Sequence, residues 1–183
     1  QHLLTVSLPA RAPDPLVSTV VLELDGAPDV DTSPLQQPNG GISLPVYMGE
    51  LHPAGPESGL SLSRAKVAQG WKSLGDTVSW RMKVSRPGVF EVRAMVSSPH
   101  HSALATRGHE VEVTVAGQTA RGTLNLDEKV HSPRAQYFPE HATVLGTVTL
   151  EAAGTYELTL RATHLVPEAG EGLPLAGVEL RPV

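Results

Sequence analysis

Residues 76–96 read Asp-Thr-Val-Ser-Trp-Arg-Met-Lys-Val-Ser-Arg-Pro-Gly-Val-Phe-Glu-Val-Arg-Ala-Met-Val, two alternating runs joined at Pro87-Gly88. Val78, Trp80, Met82 and Val84 share one phase, and Phe90, Val92, Ala94 and Val96 share one phase of the return run. Successive side chains on a strand point to opposite faces, so each run has a dry face and a wet face. Such a pair is half of a β-sandwich, and no catalytic motif lies within it.

The same pattern continues outward. Strands are predicted over 60–68, 76–85, 88–97, 109–116, 118–125, 142–151, 154–163 and 174–182. About eight strands in about 125 residues is the density of a sandwich or jelly roll. Arg86-Pro87-Gly88, Ala116-Gly117 and Ala153-Gly154 read as hairpin turns. In the last strand Leu173 and Leu175 share one phase and Val178 and Leu180 the other, so a bulge is expected at Ala176-Gly177. No helix-period segment emerges. The segments 97–108, 126–141 and 163–173 are longer than hairpins need, and long loops are where binding concentrates.

Upstream, Leu4, Val6 and Leu8 alternate, prolines interrupt, and 19–24 runs Thr-Val-Val-Leu-Glu-Leu. These read as two strands of a separate sandwich. Residues 25–59 are rich in Pro, Gly, Asp and Ser, with one short strand candidate over 42–46. Pro45 removes a ladder donor there, which restricts that strand to a sheet edge or an extended linker. The domain boundary is expected in this stretch, giving 1–48 as the end of a preceding β-sandwich plus linker and 55–183 as the main domain.

Bulk composition narrows the function. A hydrophobic content of 40% supports a real core, while 16 Pro and 17 Gly argue for short strands and tight turns. The 14 Lys and Arg are scattered and the net charge is −5, so nucleic acid is not an expected partner. The chain has no cysteine, which excludes disulfides and thiolate metal sites. No apolar run approaches the roughly 20 residues of a membrane span. Gln1 and His2 lead straight into strand-like sequence, which reads as a cut through a longer protein whose export signal lies upstream.

Catalytic and metal motifs are weak. Gly55-Pro56-Glu57-Ser58-Gly59 has the wrong spacing for a nucleophile elbow. Asp29-Val30-Asp31-Thr32-Ser33 opens like a calcium loop, but position six is Pro34 and position twelve is Gly40, so structural calcium lacks support and no cofactor is expected. Glu110 and Glu112 share one strand face and suit a solvated surface better than a glycosidase acid–base pair.

Binding candidates are therefore rings and histidines on loops. Sugars stack apolar C–H faces on aromatic rings, with polar groups nearby to orient them. Trp80, Phe90 and Tyr156 lie in phase with inward residues and are expected in the core. Trp71, Tyr137 and Phe138 lie outside such runs, where stacking on ligand competes with packing over a sandwich edge. His100 and His101 form the only adjacent histidine pair and can hydrogen-bond hydroxyls if their loop lines a groove. The candidate ligand contacts are Trp71, His100, His101, Arg107, Tyr137 and His141.

Two sets of phrases resemble a known family. Leu4-Thr5-Val6-Ser7-Leu8-Pro9-Ala10, Ala12-Pro13-Asp14 and Thr19-Val20-Val21-Leu22-Glu23-Leu24-Asp25-Gly26 resemble the end of the C-terminal β-sandwich of bacterial α-L-fucosidases of glycoside hydrolase family 29. Gly75-Asp76-Thr77-Val78-Ser79-Trp80, Pro87-Gly88-Val89-Phe90-Glu91-Val92, Leu145-Gly146-Thr147-Val148 and Ala153-Gly154-Thr155-Tyr156-Glu157-Leu158 are similar to the appended jelly-roll domain of such enzymes, itself like a carbohydrate-binding module. The family's nucleophile and fucose pocket lie in a barrel that this chain lacks, so no catalytic residue carries over. The structural calcium common in modules of this shape uses acids near the first strand, and 60–68 contains none.

The resulting expectation is an all-β chain: an antiparallel β-sandwich (jelly roll) of about eight strands, preceded by strands from a second, incomplete β-sandwich. The resemblance implies a non-catalytic, secreted or periplasmic accessory region of a glycoside hydrolase. Its partners would be the catalytic domain of the same polypeptide and fucosylated glycan. The alternative is a structural spacer or protein-interaction module that binds no sugar.

Overall fold

The computed structural model describes residues 6–11, 14, 16–27, 31–97, 107–130, 139–166 and 172–183. The chain divides into two compact units, Gln1–Asp31 and Thr32–Val183. Among the described residues of the first unit there is no strand, and Val20, Val21, Leu22 and Leu24 are exposed. The expected strand over 19–24 is therefore not formed. A strand needs a neighbour to satisfy its backbone N–H and C=O groups, and the described residues supply none there. The local order in this unit is a turn in which Asp14 Oδ1 accepts the N–H groups of Leu16 (2.7 Å) and Val17 (3.2 Å). Those bonds, Leu16's first, hold the Asp14 carboxyl below its ordinary pKa.

The second unit is an antiparallel β-sandwich. Its elements are β1 (Ile42–Pro45), a 3-10 turn (Val46–Met48), β2 (Glu50–His52), β3 (Ser61–Leu62), β4 (Ala68–Gln69), β5 (Thr77–Val84) and β6 (Gly88–Ser97). Then come β7 (Glu110–Val115), β8 (Gln118–Thr123), β9 (Glu128–Val130), β10 (Glu140–Leu150), β11 (Gly154–His164) and β12 (Leu175–Pro182). One sheet has the order β1-β12-β6-β10-β9, the other β2-β5-β11-β7-β8, with β3-β4 as a separate ribbon. The alternating residues behave as their phase predicts. Val78, Trp80, Met82 and Val84 of β5 are buried, and so are Phe90, Val92, Ala94 and Val96 of β6. Val111, Val113 and Val115 of β7 join Leu158 and Leu160 of β11 and Val178 and Leu180 of β12 in the same core.

Trp80 ties the two sheets together. Its indole Nε1–H donates to the Pro45 carbonyl at 2.9 Å, so the ring's one polar atom is satisfied at the end of β1. A Cβ at Gly49 would lie 2.7 Å from that nitrogen, so the chain passes the ring only because residue 49 has no side chain.

Two of the three expected hairpins are crossovers. Residues 85–87 join β5 to β6, and 151–153 join β10 to β11, yet each pair of strands lies in opposite sheets. Of the three, Ala116-Gly117 closes a hairpin, with Val115 paired to Gln118 and φ of 51° and 72° at the two turn residues. Positive φ at both central positions matches the type I′ turn, whose twist suits paired strands. The expected bulge is present. β12 pairs Leu175 with Val96 and Gly177 with Met95, leaving Ala176 as the extra residue. Leu175 and Val178 are consequently both buried.

The stretch that reads as a linker takes part in the sandwich. Ile42–Pro45 is an edge strand, as Pro45 requires, but it pairs with β12 inside the sandwich. Residues 34–40 are also stitched in. Lys83 N–H donates to the Pro34 carbonyl (2.9 Å), Gln36 N–H to the Lys83 carbonyl (3.0 Å), and Gln36 Oε1 accepts from the Ser85 and Arg86 amides (3.0 and 2.7 Å). A Pro- and Gly-rich stretch reads as a linker because its bonds run to distant residues and follow no periodicity. The strand expected over 60–68 is instead the β3-β4 ribbon, turned at Lys66 with φ of 59°.

Candidate functional site

Strand register brings several strand ends to one end of the sandwich. Ser97 lies opposite Glu140, Val96 opposite Leu175, and Glu110 opposite both His164 and Thr123. The strands that bracket 98–106, 131–138 and 167–171 therefore terminate together. The segment before β5 reaches the same end, where Leu173 N–H donates to the Trp71 carbonyl at 3.0 Å.

A cleft of ≈ 570 Å³ opens here between 54–59 and 70–76, with Pro56, Glu57, Ser58, Lys72, Ser73 and Asp76 in its lining. Asp76 is fully buried. Its Oδ1 accepts the Ala54 N–H at 2.8 Å and the Ser58 hydroxyl at 2.7 Å, which fastens the 54–58 loop to the start of β5. Its Oδ2 accepts no hydrogen bond from the described residues. A buried carboxylate oxygen without a donor is costly and marks the cleft as chemically unusual.

The expected contacts separate on inspection. Trp71 has no exposed surface and packs in the main hydrophobic cluster. Its ring presents no face to a ligand, which corrects the stacking expectation. Isolated from any alternating run, it gave no phase from which burial could be read, and Gly172 passes close to its backbone. A Cβ on Gly172 would lie 2.2 Å from the Trp71 carbonyl. Arg107 is exposed. His141 is half-buried on β10, opposite Lys129 of β9 and Val96 of β6. Burial first, then the charges of Lys129 and Arg107, lowers its pKa from the ordinary 6.5. A neutral imidazole results at pH 7, able to donate at one nitrogen and accept at the other. His100, His101 and Tyr137 lie outside the described residues.

One ring was missed by sequence reasoning. Tyr47 on the 3-10 turn is 43% exposed, with the Lys66 ammonium 4.7 Å from its ring centroid. Its position beside Pro45, in what read as a linker, concealed it. Glu112 pairs with Arg161 Nη2 at 2.9 Å across β7 and β11. On the outer face of the other sheet the buried Arg93 pairs with Glu128, with Glu179 (3.4 Å) and with Glu91 (3.7 Å). This network links β12, β6 and β9. Among the described residues no group of three His, Asp or Glu side chains converges on a metal position, and no helix is long and apolar enough to cross a membrane.

No protein-family model and no curated protein sequence matches the chain. Solved structures do match its fold. An α-L-fucosidase from Vibrio sp. strain EJY3 superimposes with a TM-score of 0.61 at 19% identity, covering 86% of this chain and 25% of that one. A Paenibacillus xanthan lyase gives 0.51 at 15% identity, covering 87% and 14%. The mosquito-larvicidal Cry4Aa toxin from Bacillus thuringiensis gives 0.50 at 13%, covering 84% and 25%. The chain spans a quarter or less of the length of these proteins. At such identities the likeness is one of fold, and the same fold serves a glycosidase, a lyase and a toxin.

Proposed function

We propose that this chain is a non-catalytic accessory region of a secreted or periplasmic glycoside hydrolase, an α-L-fucosidase, whose sandwich buttresses the catalytic domain of the same polypeptide and holds fucosylated glycan near it. The observation that carries this reading is the overlap of 86% of the chain with one quarter of a fucosidase. The phrases over 4–26 and 75–92 support it independently of the fold. Holding glycan beside a catalytic domain raises the local substrate concentration without lowering a barrier. The ligand contacts in this reading are His100, His101, Arg107, Tyr137 and His141.

Affinity electrophoresis of the 183-residue chain through gels containing fucosylated glycans tests the binding role. Retarded migration is expected, and it should diminish in Tyr137→Ala and His141→Ala. The burial of Trp71 favours a second reading, a spacer without sugar affinity, because it removes one of the few rings available for stacking. Unretarded migration on every fucosylated glycan would select that reading. The parent activity is tested by the reading frame upstream of Gln1. A catalytic barrel encoded there supports the fucosidase assignment, and an unrelated domain there ends it.

A further inference from the structure

We propose that the cleft above Asp76 is a saccharide subsite, in which Asp76 and Lys72 hydrogen-bond neighbouring hydroxyls of a neutral sugar. The inference rests on the glycan-holding reading and assigns it a place among the described residues. Three observations converge. The cleft's ≈ 570 Å³ lies within the range of roughly 300–1,000 Å³ typical of small-ligand sites. Its lining mixes the apolar faces of Ala54 and Pro56 with the hydrogen-bonding groups of Glu57, Ser58, Lys72 and Ser73. At its base Asp76, with no exposed surface, has two donors on Oδ1 and none on Oδ2.

The group missing from this arrangement is a donor. A hydroxyl supplies one to Oδ2, and the same hydroxyl or its neighbour accepts from the Lys72 ammonium. The lysine also explains why a neutral polyol is favoured over a metal ion. Lys72 is one of the lining residues, and among the described residues no third acidic or histidine ligand converges there. Gly59 and Gly70 form part of the wall as bare backbone, which leaves peptide groups within reach of a ligand.

Titration of the 15N-labelled 183-residue chain with a fucosylated lactose tests the proposal. Shifts are expected at the amides of Ala54, Ser58 and Lys72. Lys72→Ala removes an exposed side chain that makes no structural contact in the core, and it should weaken binding about tenfold, the cost of one charge-assisted hydrogen bond. Asp76→Asn, where its circular dichroism stays native, should weaken binding at least as much. If Asp76→Asn fails to fold, Lys72→Ala alone decides. Binding of unchanged affinity in Lys72→Ala, with shifts around Arg107 and His141 instead, overturns the subsite and leaves the glycan-holding reading standing. No binding of any fucosylated probe by the native chain overturns both.

Discussion

Trp80 and Trp71 are both buried, yet only one of them could be placed by phase. Trp80 follows Val78 and precedes Met82 in an alternating run, so its inward direction is read directly, and the indole meets the Pro45 carbonyl at 2.9 Å. Trp80→Phe should cost about 1–3 kcal/mol, because it leaves that carbonyl without its donor. Trp80→Ala should cost about 3–5 kcal/mol through the cavity it opens. Urea denaturation monitored by circular dichroism measures both, and a Trp80→Phe cost near zero would exclude a role for the hydrogen bond. Trp71 sits in Gly70-Trp71-Lys72, where no alternation exists, and its backbone is met by the 172–173 backbone about a hundred residues downstream. Asp76 was equally illegible. Its sequence neighbours announce a turn, while its significance lies in the distant Ala54 and Ser58 that it holds.

At the scale of elements, strand positions were largely legible and their partners were not. The runs over 76–85, 88–97, 109–116, 118–125, 142–151, 154–163 and 174–182 all contain strands, because each alternates and each ends in turn residues. The bulge at Ala176 was legible too, since a switch of phase within one strand has few other causes. A Pro-Gly or Ala-Gly turn, however, reports that the chain reverses and is silent about whether it returns to the same sheet. Ala116-Gly117 is the true hairpin, and Ala116 holds φ of 51° at a position that favours Asn. Ala116→Asn should therefore stabilise the sandwich by about 0.5–1 kcal/mol, read as a raised urea midpoint with an unchanged m-value. A lowered midpoint would contradict the type I′ assignment. Gln118, next in the chain, shows how an open edge is closed by a side chain. Its amide accepts from the Thr149 N–H at 2.9 Å and donates to the Thr149 carbonyl at 2.6 Å, as a neighbouring strand would.

For the molecule as a whole, the unit beginning at Thr32 carries the fold. A chain starting at Thr32 should keep its stability within about 0.5 kcal/mol, because the described residues of Gln1–Asp31 are exposed. A chain starting at Gly49 should lose at least about 4 kcal/mol, because Ile42, Leu44 and Val46 leave the core and the Trp80 N–H loses its acceptor. Thermal and urea melts of the two truncations decide between a boundary at 31 and one near 48. From its sequence alone the protein was bound to be an all-β sandwich, since alternation is a local property that sets the dry face of each strand wherever the strand ends up. Tertiary structure alone decided which sheet each strand joined, that the apparent linker over 32–52 supplies two edge strands, and that a buried aspartate underlies a cleft at the loop end. Those outcomes depend on pairings between residues far apart in the chain, and short-range periodicity carries no trace of them.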